Sequence, residues 1–217
     1  MKAGAIFDMD GLLFDTELVY NNEWYYIADM HGLQIDPAML DELRGTSGTR
    51  MNDIVNSYWP KVDAKKLTDE LFAHARVTLA EAVPMKPGVL ELLDYLKEHA
   101  VRLAVASSAP QKLIENNLRI AGISDYFHVI VSGEQVAHGK PAPDIFLLAA
   151  DKLGLPAAEC YVLEDGINGV RAGLRAGCST IMVLDLVAPT AELYTQCTGI
   201  YESLSAVLRS LQNGEIK

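Results

Sequence analysis

Ala3-Gly4-Ala5-Ile6-Phe7-Asp8-Met9-Asp10-Gly11-Leu12-Leu13-Phe14-Asp15-Thr16 is the stretch on which the reading of this chain turns. Residues 3–7 are apolar or small, too few for a helix and without polar alternation. That is the pattern of a strand buried on both faces of a parallel sheet. Asp8 and Asp10 follow at once, and Gly11 marks the turn that takes the chain away from the sheet. Ligands of open α/β sheets bind beyond the carboxyl ends of the strands, so both aspartates are expected at the mouth of such a site. Spaced by two along an extended chain, their carboxylates aim towards one region. Two anions this close repel one another unless a cation or a proton lies between them.

Outward from this stretch, residues 17–82 carry helical patterns and no strand pattern. Thr16 is placed to cap a helix with Leu18, Val19, Ile27 and Met30 as apolar positions and Gly32 as its stop. Asp36-Pro37 opens a second helix, residues 44–49 read as a loop, and a third helix runs from about Thr49 to Trp59-Pro60. Asp63 then starts a long helix through Leu67, Leu71, Ala75 and Leu79. Pro84 and Pro87-Gly88 break this texture, and helix and strand alternate thereafter, with strands expected at 101–106, 128–132, 161–163 and 180–184. Five buried strands joined by helices call for a doubly wound parallel sheet, an α/β class. The expected organisation is an α/β core of residues 1–15 and 84–217, interrupted by a helical domain at 16–83. A domain on two short linkers beside the carboxyl edge of a sheet is placed to act as a lid.

The 217 residues are half hydrophobic and 22% charged, an ordinary composition for a globular protein. No apolar run approaches the roughly 18 residues of a membrane span, and no signal-peptide pattern precedes Asp8. A cytoplasmic protein with no membrane partner is expected. Cys160, Cys178 and Cys197 are odd in number and scattered, which reads as reduced, packed thiols. The net charge of −11 argues against nucleic acid as a partner. It also repels a phosphorylated metabolite at long range, so a site for one must be made locally positive by a metal ion or by placed Lys and Arg.

Strand ends carry the chemistry. The first strand ends at Asp8, the second at Ser107-Ser108 and the fourth at Glu164-Asp165, while Lys140 lies in the loop after the third. Taken singly, Ser107 reads as a capping serine, Lys140 as a surface lysine and Glu164-Asp165 as turn residues. Together they gather carboxylates, hydroxyls and one ammonium at one edge of one sheet. Hard carboxylate oxygens without histidine suit Mg²⁺, and an ammonium with hydroxyl donors suits a phosphoryl group. In such a site one aspartate can act as nucleophile while the other carries protons to and from the reacting oxygens.

These residues resemble a known family. Asp8-Met9-Asp10-Gly11, the serine after 103–106, Lys140 in Gly139-Lys140-Pro141-Ala142-Pro143-Asp144, and Glu164-Asp165-Gly166-Ile167-Asn168-Gly169 are similar to the four motifs of the haloacid dehalogenase superfamily, in the same order. The helical insertion is similar to the cap of its β-phosphoglucomutase and sugar-phosphatase branch. The resemblance implies Asp8 as nucleophile and Asp10 as acid/base. It implies Mg²⁺ held by Asp8, the Asp10 carbonyl and Asp165, with Glu164 close by. It further implies phosphate binding by Ser107, the Ser108 amide and Lys140, with Asn168 lining the site. Members that cleave carbon–halogen bonds match this chain less well at Asp10.

Mutases of this branch carry a histidine five positions beyond the aspartate that matches Asp15, where this chain has Tyr20. Their cap lysine aligns with Arg76. Their cap loop reads Lys/Arg-Gly-x-Ser-Arg, against Arg44-Gly45-Thr46-Ser47-Gly48 and then Arg50 here. These departures favour hydrolysis. The expectation is a Mg²⁺-dependent phosphatase acting through an aspartyl-phosphate on a small phosphorylated metabolite, foremost a sugar phosphate. Its alternatives are a β-phosphoglucomutase and a non-catalytic phosphometabolite-binding protein. Substrate choice is expected in Arg44, Gly45, Thr46, Arg50, His74 and Arg76. Trp24, Tyr25, Tyr26, Tyr58 and Trp59 are expected to pack in the helical core, and the five histidines form no ligand pattern.

Overall fold

The computed structural model describes residues 1–44, 46 and 48–216. Its contacts divide the chain into two compact units, Met1–Asp15 with Pro84–Lys217, and Thr16–Val83. The first unit holds a sheet of six parallel strands: β1 (Gly4–Phe7), β2 (Arg102–Ser107), β3 (Val129–Ser132), β4 (Cys160–Glu164), β5 (Ser179–Val183) and β6 (Gly199–Tyr201). Their order across the sheet is β3-β2-β1-β4-β5-β6. β1 is therefore central, with Phe7 level with Val105 on one side and Leu163 on the other. Connections leaving β1 and β4 diverge in opposite directions, and at such a switch point the strand ends leave a crevice open.

The second unit consists of α1 (Thr16–Met30), α2 (Pro37–Leu43), α3 (Gly48–Tyr58) and α4 (Ala64–Glu81). Asp36 starts α2 by accepting the Ala38 N–H at 2.9 Å ahead of Pro37, and Asp63 starts α4 by accepting the Lys66 N–H at 3.0 Å. Trp24, Ile27, Met39, Leu43, Val55, Trp59, Leu67 and Leu71 form its core, with the two tryptophan rings 6.3 Å apart. Tyr25 and Tyr26 are instead exposed, so the expectation of packed aromatics holds for the tryptophans and not for these two. Leu18 and Met30 are exposed as well, because the buried face of α1 runs through Val19, Glu23, Trp24, Ile27 and Ala28.

Back in the first unit, the helices are α5 (Val89–Glu98), α6 (Gln111–Ile120), α7 (Asp144–Lys152), α8 (Ile167–Ala176), α9 (Leu193–Gln196) and α10 (Leu204–Gln212). Ile145, Phe146, Ala149 and Ala150 of α7 and Ala172 and Ala176 of α8 pack on Ile6, Ala104, Ala106, Val131 and Val162. The alternate residues Ala5, Phe7, Leu103, Val105, Tyr161 and Leu163 point to the opposite face and are equally buried, as a two-sided sheet requires. β6 and α9 were not expected from the sequence. β6 is a three-residue edge strand, only partly buried, and too short to carry a pattern. Among the described residues no helix is long and apolar enough to cross a membrane.

Candidate active site

The acids and hydroxyls of the site are placed by the ends of strands, and Lys140 by the loop after β3. Asp8 leaves β1 with its N–H on the Leu163 carbonyl at 3.0 Å, so the first acid is tied to the strand that ends in the later ones. Glu164 closes β4 and Asp165 follows it. Asp8 and Glu164 are buried, and the carboxylate oxygens of Asp8, Glu164 and Asp165 lie within 4.8 Å of one another. The Lys140 ammonium, 8% exposed, contacts Asp8 and lies 2.8 Å from Glu164 Oε1. The other Glu164 oxygen accepts the Gly166 N–H at 2.6 Å, so Glu164 spends both oxygens inside the protein.

Two glycines make room for these acids. Gly11 has φ +83°, a left-handed conformation, and a Cβ there would strike the Asp165 carboxylate. At Gly169 a Cβ would fall on the Glu164 carboxylate, which lets the first turn of α8 approach that acid. On the other side of Asp8, Ser107 ends β2 and its hydroxyl accepts the Ala109 N–H at 3.1 Å. Buried Ser132 at the end of β3 donates to the Ala109 carbonyl at 2.6 Å, so this loop is fixed from two strands.

A cleft of about 650 Å³ opens onto this arrangement, lined by Asp8, Asp10, Ser107, Ser108, Lys140, Glu164, Asp165, Gly166, Ile167, Asn168, Gly169 and Val187. Every one of these residues belongs to the α/β unit. The sequence-predicted core residues Asp8, Asp10, Ser107, Ser108, Lys140, Glu164, Asp165 and Asn168 are thus brought to one place. The predicted residues of the helical unit are described within that unit alone. Arg44 pairs with Asp41 at 3.0 Å, and the Thr46 hydroxyl donates to the Leu43 carbonyl at 2.6 Å. Arg50 and Arg76 are exposed on α3 and α4, and Gly45 lies outside the described residues. Tyr20 packs edge-on against Phe72, ring centroids 5.9 Å apart.

The electrostatics of the cleft are dominated by excess negative charge. Burial, then the charges of Asp8 and Glu164, push the Asp165 carboxyl up to about 8. Burial and Asp8 likewise push Glu164 up, against the lowering pull of Lys140. For Lys140, burial acts to lower the pKa, but Asp8 and Glu164 outweigh it and hold the ammonium charged. Carboxyls that retain protons near neutrality when buried together form an all-oxygen donor set short of positive charge, and a hard divalent cation such as Mg²⁺ fits it.

The sequence reading missed several residues. Ile167 and Val187 line the cleft as apolar surface with no signature of their own. Asp185 follows the end of β5 by two residues and bonds to Lys86 at 2.7 Å. The rule that picked out Asp8 and Glu164, an acid just beyond a strand, also points to Asp185. In the helical unit, buried Glu23 receives His74 Nδ1 at 2.5 Å and the Thr78 hydroxyl at 2.6 Å, a cluster that no spacing reveals.

Comparisons with known proteins show what the chain is similar to. The model of a family described as haloacid dehalogenase-like hydrolase matches residues 5–183. Hexitol phosphatase B of Escherichia coli K12 is 32% identical over 184 residues, covering 82% of each chain. Fructose-1-phosphate phosphatase YqaB of the same organism is 33% identical, covering 83% of this chain and 96% of its own. A Thermotoga maritima crystal structure described as a candidate beta-phosphoglucomutase superposes with a TM-score of 0.84 at 27% identity, covering 98% of this chain and 99% of that one.

Proposed function

Given that the chain belongs to the haloacid dehalogenase-like hydrolases and is a phosphohydrolase of that family, we propose that it is a Mg²⁺-dependent phosphatase of small phosphorylated metabolites, foremost sugar phosphates, working through an aspartyl-phosphate. The observation that carries the reading is the convergence of Asp8, Asp165 and Lys140, from two strand ends and the loop that follows a third strand, on one cleft.

Asp8, Asp165 and the Asp10 carbonyl are the groups that would hold Mg²⁺, with Glu164 beside them. Bound there, the ion would offset the charge between the Asp8 carboxylate and a phosphate dianion. Asp8 attacks phosphorus; the new O–P bond forms as the bond to the leaving oxygen breaks, and Asp10 gives that oxygen a proton. Lys140, the Ser107 hydroxyl and the Ser108 amide hold the phosphoryl oxygens as charge redistributes over them. Asp10 then takes a proton from the water that attacks the phosphorus of the aspartyl-phosphate, and Asp8 is released with inorganic phosphate. Glu164, bound by Lys140 and the Gly166 N–H, fixes the ammonium in place.

The experiment is inorganic phosphate release from a panel of hexose, hexitol and pentose phosphates with Mg²⁺. Turnover lost in Asp8→Asn supports the reading, and turnover unchanged in that variant overturns it. The structural similarity to the candidate beta-phosphoglucomutase keeps a mutase as the second reading. That reading requires conversion of β-glucose 1-phosphate to glucose 6-phosphate with little free phosphate, and the same panel separates the two.

A further inference from the structure

Lys86 lies outside the cleft lining, yet it is connected to the segment that carries Asp10. Its ammonium stands 2.7 Å from Asp185 and 3.3 Å from Asp15, and its side chain is 19% exposed. Residues 9–15 form a tight turn between Asp10 and this ion pair. The Gly11 N–H donates to the Phe14 carbonyl at 2.9 Å, and the N–H groups of Leu13 and Phe14 donate to the Met9 carbonyl at 2.9 and 3.1 Å. The far end of the turn is sewn to the segment that bears Lys86. The Asp15 N–H donates to Pro84 O at 2.8 Å, the Lys86 N–H donates to Leu13 O at 2.9 Å, and Phe14 bridges Met85 in antiparallel sense.

These backbone bonds define the internal shape of the turn, whose near end leaves β1, but none of them ties its far end to the sheet. Lys86 does, because Asp185 follows β5, the neighbour of β4. Asp185 also adjoins the turn directly: its Oδ2, buried and without a hydrogen-bond partner among the described residues, lies 3.2 Å from where a Gly11 Cβ would stand. Proton transfer to a departing oxygen tolerates little misplacement, and an error near 1 Å costs on the order of 10²-fold. The Asp10 side chain projects from this turn, so whatever holds the turn also fixes the backbone that carries it.

We propose that Lys86 is a positioning residue for Asp10: by gripping Asp15 and Asp185 it holds the 9–15 turn in register with the ends of β4 and β5, so that Asp10 meets the leaving oxygen. The proposal rests on the phosphatase reading and on Asp10 as its proton donor.

Leaving-group chemistry supplies a test that a merely structural role would not pass. A sugar alkoxide needs a proton to depart, whereas p-nitrophenolate departs without one, so misplacing the donor penalises only the first. In Lys86→Met, kcat/KM for a hexitol phosphate is expected to fall about tenfold or more, while kcat/KM for p-nitrophenyl phosphate changes by less than about twofold. Lys86→Arg, which keeps the cation, is expected to restore most of the loss. Should Lys86→Met not fold, Asp185→Asn, which removes one arm of the grip at constant volume, is held to the same pair of ratios. Equal losses on both esters, or no loss on the hexitol phosphate, would overturn this proposal alone. Absence of Asp8-dependent hydrolysis of either ester by the wild-type chain would overturn the phosphatase reading and this proposal with it.

Discussion

Lys140 and Lys86 each grip two carboxylates brought from distant parts of the chain, but their surroundings differ. The cleft that holds Lys140 is lined by Asp8, Asp10, Glu164 and Asp165, four acids against one ammonium, and Asp165 is pushed up to about 8 by burial and by its neighbours. Lys86 pairs with Asp15 and Asp185, two acids against one ammonium, and these pairs close a backbone turn outside the cleft lining. Burial acts to lower the pKa of Lys86, but the hydrogen bonds and charges of Asp185 and Asp15 raise it overall. The same ion-pair chemistry therefore serves two ends. Where positive charge is short, the site is suited to a cation and a phosphate, as proposed above; where the charges come closer to balance, the pair is suited to holding structure.

The contrast breaks first at Asp8. Asp8→Asn is expected to cost at least about 10³-fold in phosphate release, because a nucleophile has no partial substitute. An effect of the size expected for the Lys86 variants would mean that Asp8 is only another structural anion. Next comes the metal. Chelation is expected to abolish turnover, and Mg²⁺ at a hundredfold excess over its Kd to add about 2.7 kcal/mol of stability, read as a rise in Tm. Asp165→Asn is expected to remove that rise, and a rise that survives it would place the ion elsewhere.

Gly11 sits between the two clusters and sharpens the comparison from the middle. Gly11→Ala introduces a side chain at φ +83° against the Asp165 carboxylate, and a loss of roughly 1–3 kcal/mol is expected in denaturant unfolding. Stability at Lys86 is the last point of comparison, where Lys86→Met leaves the largely buried Asp185 carboxylate without its cation and is expected to cost roughly 1–3 kcal/mol. Its pH dependence follows from the sign of the shift. A folded-state pKa raised above the unfolded value near 10.4 gives stability that is fully present below the latter and lost as pH rises through the former. The difference between Lys86→Met and wild type is therefore expected to stay flat from about pH 6 to 9 and to shrink only in strong alkali. A difference that vanished already near neutrality would show that Lys86 is not held as a cation.

Much of the site was legible because strand ends are legible. A short apolar run followed at once by an acid, as at Phe7-Asp8 or Leu163-Glu164, marks both a buried strand and its carboxyl end. β6 escaped because three partly buried edge residues carry no period. The exposure of Leu18 and Met30 escaped because the buried face of α1 includes Glu23, a carboxylate that only His74 and Thr78 make tolerable there. Lys86 escaped because it reads alone as a surface charge, and its pairing with Asp185 escaped because nothing local pairs residues 99 positions apart.

The sequence by itself determined the alternation of strand and helix, the helical texture of residues 16–83, and which strands end in acids, hydroxyls or a glycine turn. These are short-range properties, set by the periods of two and 3.6 and by the few residues that tolerate a turn. Only the tertiary structure decided that Lys140 meets Asp8, 132 residues away, and Glu164, 24 residues away, and that a second lysine ties the turn of Asp10 to the next strand. The physical reason is strand order. Placing β4 beside β1 rather than beside β3 is a choice among sheets of equal local pattern, made by long-range packing, and it alone brings these charges within reach of one another.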